Sequence, residues 1–311
     1  MRKLYHNGFD VSGALKQSGS YVDVAWPVYT SSIDIEYLVI GGGGGGACED
    51  SFYNNGPGGG GGAGAVETGS FSFATGSTDL TLRVGLRGLG GSYPNGPGGS
   101  GDGDGGDGYS SYISGIVTAE SGSQGKTVHA NTADSPIGGK SGTPFNGGQG
   151  STYDHAGGGG GGSASPGTNG SETLAPSVAV GGNGGNGLTI NTWYVDESTP
   201  LGNVAGGGGG GAGNSTTNSG GSGAFGGGDG GDDIQAPTNA TTFGSGGGGG
   251  YRDDAGDGKG GLVLLRYENI LPINDSGDSV YKIGNYWYHK FATAATDLQT
   301  FERPDKIIID I

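Results

Sequence analysis

The residues whose types and spacing could do chemistry are few, and the first of them are aspartates. Asp102, Asp104 and Asp107 lie in Gly-Asp-Gly-Asp-Gly-Gly-Asp-Gly, an oxygen-rich stretch of pliant backbone of the kind that ligates Ca²⁺. The bidentate glutamate that closes an EF-hand loop is missing. Gly227-Gly228-Asp229-Gly230-Gly231-Asp232-Asp233-Ile234 matches by letter the repeat of calcium-binding β-helices, but such helices need tandem copies and this chain has one. His6, His129, His155 and His289 are scattered without ligand spacing. Cys48 is the sole cysteine, so one chain can form neither an internal disulfide nor a thiolate cluster. No metal or cofactor is expected. No Ser/His/Asp order or carboxylate pair marks a catalytic site, so the chain is not expected to be an enzyme.

The aromatic residues suit recognition better. Tyr93, Tyr109, Tyr112, Tyr153, Trp193 and Tyr194 lie between glycine blocks, in Ser/Gly/Asn-rich stretches. Tyrosine and tryptophan in such surroundings are what binding surfaces use. Tyr109, Tyr112, Trp193 and Tyr194 are the contact candidates. The alternative is that they cap the ends of a glycine core and cover its backbone.

The elements that must position these residues are unusual. Glycine accounts for 80 of the 311 residues, in unbroken blocks at 41–46, 58–62, 157–162, 206–211 and 246–250. That is several times the usual share of about 7%. Glycine loses more backbone entropy on ordering than any other residue, so ordered blocks imply backbone packed on backbone. There is no Gly-X-Y period, which excludes a collagen triple helix. Extended polyglycine can form a left-handed three-fold helix with no internal hydrogen bonds, and side-by-side copies can satisfy one another's N–H and C=O groups. The expected fold is all-β with very little helix, its short strands framing a core of packed polyglycine II-like helices.

Strands are legible around the blocks. Tyr21–Trp26 and Ile33–Ile40 alternate apolar with polar residues, the second running straight into Gly41. Phe71 and Phe73 share one face of a strand; Leu80, Leu82, Val84 and Leu86 share one face of the next, with a turn at Gly76–Asp79. Gly261–Tyr267 closes the glycine-rich part as a strong strand. Ile307, Ile308 and Ile309 form a β-branched run whose open edge would invite aggregation, so they are expected to pair in cis or with a neighbouring chain. The organisation is thus an N-terminal β region at 1–40, a glycine-rich domain at 41–267 and a C-terminal β segment at 268–311.

Composition narrows the function. Thirty acidic against 14 basic residues leave a net charge of −16, which argues against nucleic acid as partner. No run approaches a membrane span, so no membrane insertion is expected. The first residues lack the apolar core of a signal peptide, which points to synthesis in a cytoplasm.

Ile35–Ile40 followed by Gly41–Gly46 resembles the entry of the glycine-rich domain found in bacteriophage virion proteins, especially tail fibres and receptor-binding adhesins. Gly58–Val66, the segment Val84-Gly85-Leu86-Arg87-Gly88-Leu89-Gly90-Gly91 and the closing strand Gly260–Tyr267 resemble its later pieces in the same order. The resemblance covers 33–267. It implies a place on a virus particle, with other virion proteins and a host-surface receptor (a glycan or an outer-membrane protein) as partners. It implies that loops between polyglycine segments make the contact, and it brings no catalytic residues. It leaves open whether the bundle closes within one chain or as a homotrimer. The alternatives are a head fibre or capsid decoration protein without receptor binding, and a secreted glycine-rich matrix protein.

Overall fold

The computed structural model describes residues 32–49, 56–74, 78–93, 103–127, 137–151, 155–174, 177–213, 217–268, 277–292 and 305–309, with the short strands Tyr5–His6, Phe9–Asp10, Leu15–Ser18 and Tyr21–Val24. Strands and extended segments make up these residues, and no helix occurs among them. Asp102, His129 and Tyr153 lie outside them.

The segment entered at Gly41 shows how the glycine blocks are held. Its successive N–H groups turn to a different neighbour at each step and return to the first every third residue. Gly41, Gly44 and Ala47 donate to the carbonyls of Ala65, Gly62 and Gly59. Gly42, Gly45 and Cys48 donate to Tyr109, Gly106 and Gly103, and Gly43 and Gly46 to Lys259 and Gly256. The carbonyls obey the same rule. Gly42 and Gly45 accept from Gly122 and Gly125, Gly43 and Gly46 from Gly88 and Gly91, Gly44 and Ala47 from Gly247 and Gly250. A three-residue repeat with every bond made outward is that of the extended three-fold helix. Three donor-side and three acceptor-side neighbours surround it. The blocks at 58–62, 157–162, 206–211 and 246–250 are bonded on all sides in the same manner.

Glycine is required by the closeness of this packing. A Cβ on Gly45 would stand 1.9 Å from the carbonyl oxygen of Leu89, and one on Gly43 would stand 2.0 Å from that of Ser245. The Cα–H bonds point at carbonyl oxygens, contacts worth about 0.5–1 kcal/mol each.

At the rim of the bundle the unbroken runs give way to a three-residue pattern that keeps one or two glycines in each three. In Gly181-Gly182-Asn183-Gly184-Gly185-Asn186-Gly187 the two asparagines are exposed, and Asp229 is exposed in the 227–232 segment. A rim segment also has backbone N–H groups with no neighbouring segment to receive them, and the side chains of the adjoining segment do so. Asn183 Oδ1 accepts from Ser222 N at 2.9 Å, Asp229 Oδ1 from Gly223 N at 2.7 Å, and Asp257 Oδ1 from Gly90 N at 2.8 Å. Asp107 Oδ1 accepts from Gln124 N and Asp104 Oδ1 from Thr127 N, each at 2.8 Å. The described parts of both aspartate-glycine runs that resemble calcium loops are therefore rim segments, in which Asp104, Asp107, Asp229 and Asp232 are committed to backbone amides.

Ordinary sheets close one end of the bundle. A five-stranded antiparallel sheet has the order Ser279–Ile283, Tyr286–Ala292, Leu262–Glu268, Ser32–Ile40, Val66–Ala74. It draws strands from all three of the segments 1–40, 41–267 and 268–311. A four-stranded sheet of Asp305–Ile309, Thr78–Arg83, Ser111–Ile113 and Val117–Ala119 packs on one face. There Ile35, Val39, Val263, Leu265 and Phe291 meet Leu80, Leu82 and Ile113. The hairpin of Leu188–Tyr194 and Pro200–Val204 covers part of the other face, where Leu38, Ile40, Leu262 and Leu264 meet Trp193 and Val204. Leu38-Val39-Ile40 is apolar without alternation because both its faces are covered, whereas Ile33–Tyr37 alternates because one face is open.

Two details differ from the sequence reading. The strand through Leu80 and Leu82 ends at Arg83. Val84 and Leu86 do not extend it, because Gly85, Gly88 and Gly91 begin a three-residue period and the chain becomes a rim segment there. Thr78 and Asp79 begin this strand instead of belonging to the turn, whose Gly76 and Ser77 lie outside the described residues.

Candidate functional site: a groove over the open half of the sheet

The covering hairpin stops short of the sheet's far half. What it leaves is a groove of about 1320 Å³ whose floor includes Asp34, Glu36, Thr68, Ser70, Ser72 and Glu268. Leu188, Ile190 and Trp193 of the hairpin form one wall, and Tyr286 contributes from the neighbouring strand. Strand alternation produces this floor. Glu36, Ser70 and Arg266 are cross-strand partners, and Asp34 lies opposite Ser72.

Arg266 organises the wall. Its guanidinium donates to Glu36 Oε2 from Nη2 at 2.6 Å and from Nε at 2.8 Å, and to the Thr192 carbonyl at 2.7 Å. It lies 4.2 Å from the centre of the Trp193 ring and 5.2 Å from that of Tyr286. Burial works against its charge, but the hydrogen bonds with Tyr288 and Glu36 outweigh it and raise its pKa above the ordinary arginine value. Behind it Tyr281 stacks on Tyr288, with ring centres 5.4 Å apart, and donates to the Tyr194 carbonyl at 2.8 Å. Burial, followed by the proximity of Tyr288 and Asp196, pushes the Tyr281 phenol well above its usual range. Beyond the hairpin strand, Asp196 accepts backbone N–H bonds from Ser198 and Thr199, which lower its pKa.

The aromatic candidates separate into two groups on opposite faces of the sheet assembly. Tyr109 is half exposed with Arg83 over its ring at 5.4 Å, and Tyr112 is half-buried opposite Arg83 and Thr118. Trp193 is only 6% exposed and belongs to the core beneath the hairpin, so the reading of it as a solvent-facing contact is corrected. Tyr194 packs edge-on against Tyr288. Trp193 and Tyr194 thus both pack against Tyr288 of the sheet. Ile307, Ile308 and Ile309 pair in cis with Leu80, Asp79 and Thr78. The groove's polar floor escaped the sequence reading because Asp34, Ser70 and Glu268 are distant in the chain. The one available signal was the polar half of the Ile33–Tyr37 alternation.

His289 is buried and bonded to Tyr267. His155 lies beside Glu172, whose Oε2 accepts from Ser151 Oγ at 2.7 Å. That serine hydroxyl also accepts the backbone N–H groups of His155 and Ala156, an arrangement that closes a turn. No group of three or more metal-ligating side chains occurs among the described residues. No helix there is long and apolar enough to cross a membrane.

These features define a class: a bundle of hydrogen-bonded glycine helices closed at one end by β-sheets. A family model described as a glycine-rich domain matches residues 16–268, most of the chain, and the chain belongs to that family. No curated protein matches it.

Proposed function

We propose that this is a non-catalytic structural protein of a bacteriophage virion, a tail-fibre or tip adhesin that holds a host-surface receptor at the ends of its glycine bundle. The observation that carries this reading is the saturation of the bundle: its backbone groups are bonded to one another or to rim side chains. Such a body is a stiff scaffold, and side chains free to recognise a partner are concentrated where segments turn at its ends. The motif order from Ile35 to Tyr267 supports the virion setting, with synthesis in the host cytoplasm and other virion proteins as assembly partners.

A second reading, a head fibre or capsid decoration protein, is favoured by one feature. Val66–Ala74 is one of the two edge strands of the five-stranded sheet, and an edge is a template for pairing with a neighbour. The test is binding of the purified chain to candidate host cells. Variants with 94–102, 128–136 or 195–199 replaced by Gly-Ser leave the glycine segments intact. The adhesin reading expects cell binding by the intact chain and its loss in at least one variant of unchanged melting temperature, among these or with the groove over the sheet filled. Absence of cell binding together with co-assembly on purified particles would instead support the decoration protein.

A further inference from the structure

We infer that the groove over the open half of the sheet is a binding site for an uncharged or amine-bearing oligosaccharide. This deepens the adhesin reading and rests on it. The lining excludes other ligand classes by its chemistry. Asp34, Glu36 and Glu268 outnumber the one cationic side chain, Arg266, whose guanidinium is already held by Glu36 and the Thr192 carbonyl between two aromatic rings. An anionic ligand would meet carboxylates with no uncommitted cation to offset them.

A purely apolar ligand would desolvate the hydroxyls of Thr68 and Ser70 and the Glu268 carboxylate without offering them a partner. A sugar matches both halves of the surface. Its hydroxyls can donate to the carboxylates and exchange hydrogen bonds with the serines and threonines. Its C–H face can rest on the apolar wall of Leu188 and Ile190, where Leu188 is 38% exposed.

Size and rigidity agree with this class. Pockets for single small molecules run to about 300–1,000 Å³. This groove, at about 1320 Å³, suits several linked sugar units. Its polar groups stand on strands and are held before any ligand arrives. Ser72 Oγ donates to Asp34 Oδ1, and the Arg266 clamp fixes Glu36 and the Trp193 wall. Such fixing lowers the ordering cost of binding.

The experiment presents the full chain to an array of neutral, amino-bearing and sialylated or sulfated oligosaccharides. The same is done with Ser70→Trp, which fills the groove from an exposed strand position, and with the double variant Asp34→Asn/Glu268→Gln. Thr118→Trp, at a small cleft that Tyr112 and Val117 also line on the four-stranded sheet, is the control. Melting temperatures check that each variant folds. Binding of neutral or amino-bearing members is expected, weakened at least tenfold by Ser70→Trp and unchanged by Thr118→Trp. The double variant is expected to reduce binding of amino-bearing members most. The inference is overturned by binding confined to anionic members, by no saccharide binding, or by binding indifferent to Ser70→Trp. If Ser70→Trp still binds host cells like the intact chain, the groove fails while the adhesin reading stands. Saccharide binding sensitive to Ser70→Trp without any cell binding removes the adhesin reading and leaves the groove.

Discussion

The glycine bundle and the sheet assembly at its end solve the same problem by opposite means. In the sheets, backbone bonds run between strands and the stabilisation comes from buried side chains: Leu38, Leu262 and Leu264 on one face, Val39, Val263 and Leu265 on the other. In the bundle almost nothing apolar is buried. A glycine segment there gains backbone hydrogen bonds on six sides and close Cα–H···O approach, at the highest entropic cost per residue. The comparison teaches that tolerance to substitution should be inverted between the two. The sheet core resists loss of volume, and the bundle core resists its gain.

The largest effect should therefore come from adding atoms to the bundle. Gly45→Val places a side chain where the Leu89 carbonyl already stands, and no flexible group is there to move aside. Overpacking costs about 1–3 kcal/mol in ordinary cores, occasionally more, and should exceed that range here because backbone is the obstacle. The expected outcome is insoluble protein or a collapsed melting temperature. Removing volume from the sheet comes next. Leu264→Ala, fully buried under the hairpin, should cost about 2–5 kcal/mol by denaturant titration.

Third is the rim. Asp257→Ala deprives Gly90 N–H of its acceptor and breaks the ion pair with Arg87. Water reaches this site, so the loss should be about 0.5–1.5 kcal/mol. Asp257→Asn should recover most of it, because the amide oxygen can still accept. If the alanine variant matches wild type, the rim side chains do not seal the bundle.

The smallest effect is one of pH. Tyr281 has a folded pKa raised above its unfolded value, so its stabilising contribution is complete below about pH 10 and is lost as pH rises through the folded value. Stability measured against pH should fall more steeply above pH 10 in the wild type than in Tyr281→Phe.

The same contrast explains what the sequence made legible. Interior segments announce themselves as unbroken glycine, and the strands Ser32–Ile40 and Leu262–Glu268 as β-branched and leucine runs beside them. Rim segments were hidden because their signal is a period of three, as in Gly181–Gly187, where strand patterns have two. Read for a period of two, Val84 and Leu86 extend a strand; read for three, Gly85, Gly88 and Gly91 begin a glycine helix. Trp193 looks like an exposed contact in its polar neighbourhood. Only the fold places Arg266, distant in the chain, over its ring. The groove was illegible for the same reason, since its floor is assembled by cross-strand pairing between Glu36, Ser70 and Arg266.

The measurement that tests the lattice most directly is amide hydrogen exchange on protein labelled with ¹⁵N-glycine. Hydrogen-bonded glycine segments predict that amides of 41–46, 58–62, 206–211 and 246–250 exchange as slowly as those of the central strand Leu262–Glu268, followed in uniformly labelled protein. Exchange of the glycine blocks at unprotected rates while the strand remains protected would contradict the account and reduce the blocks to flexible spacers.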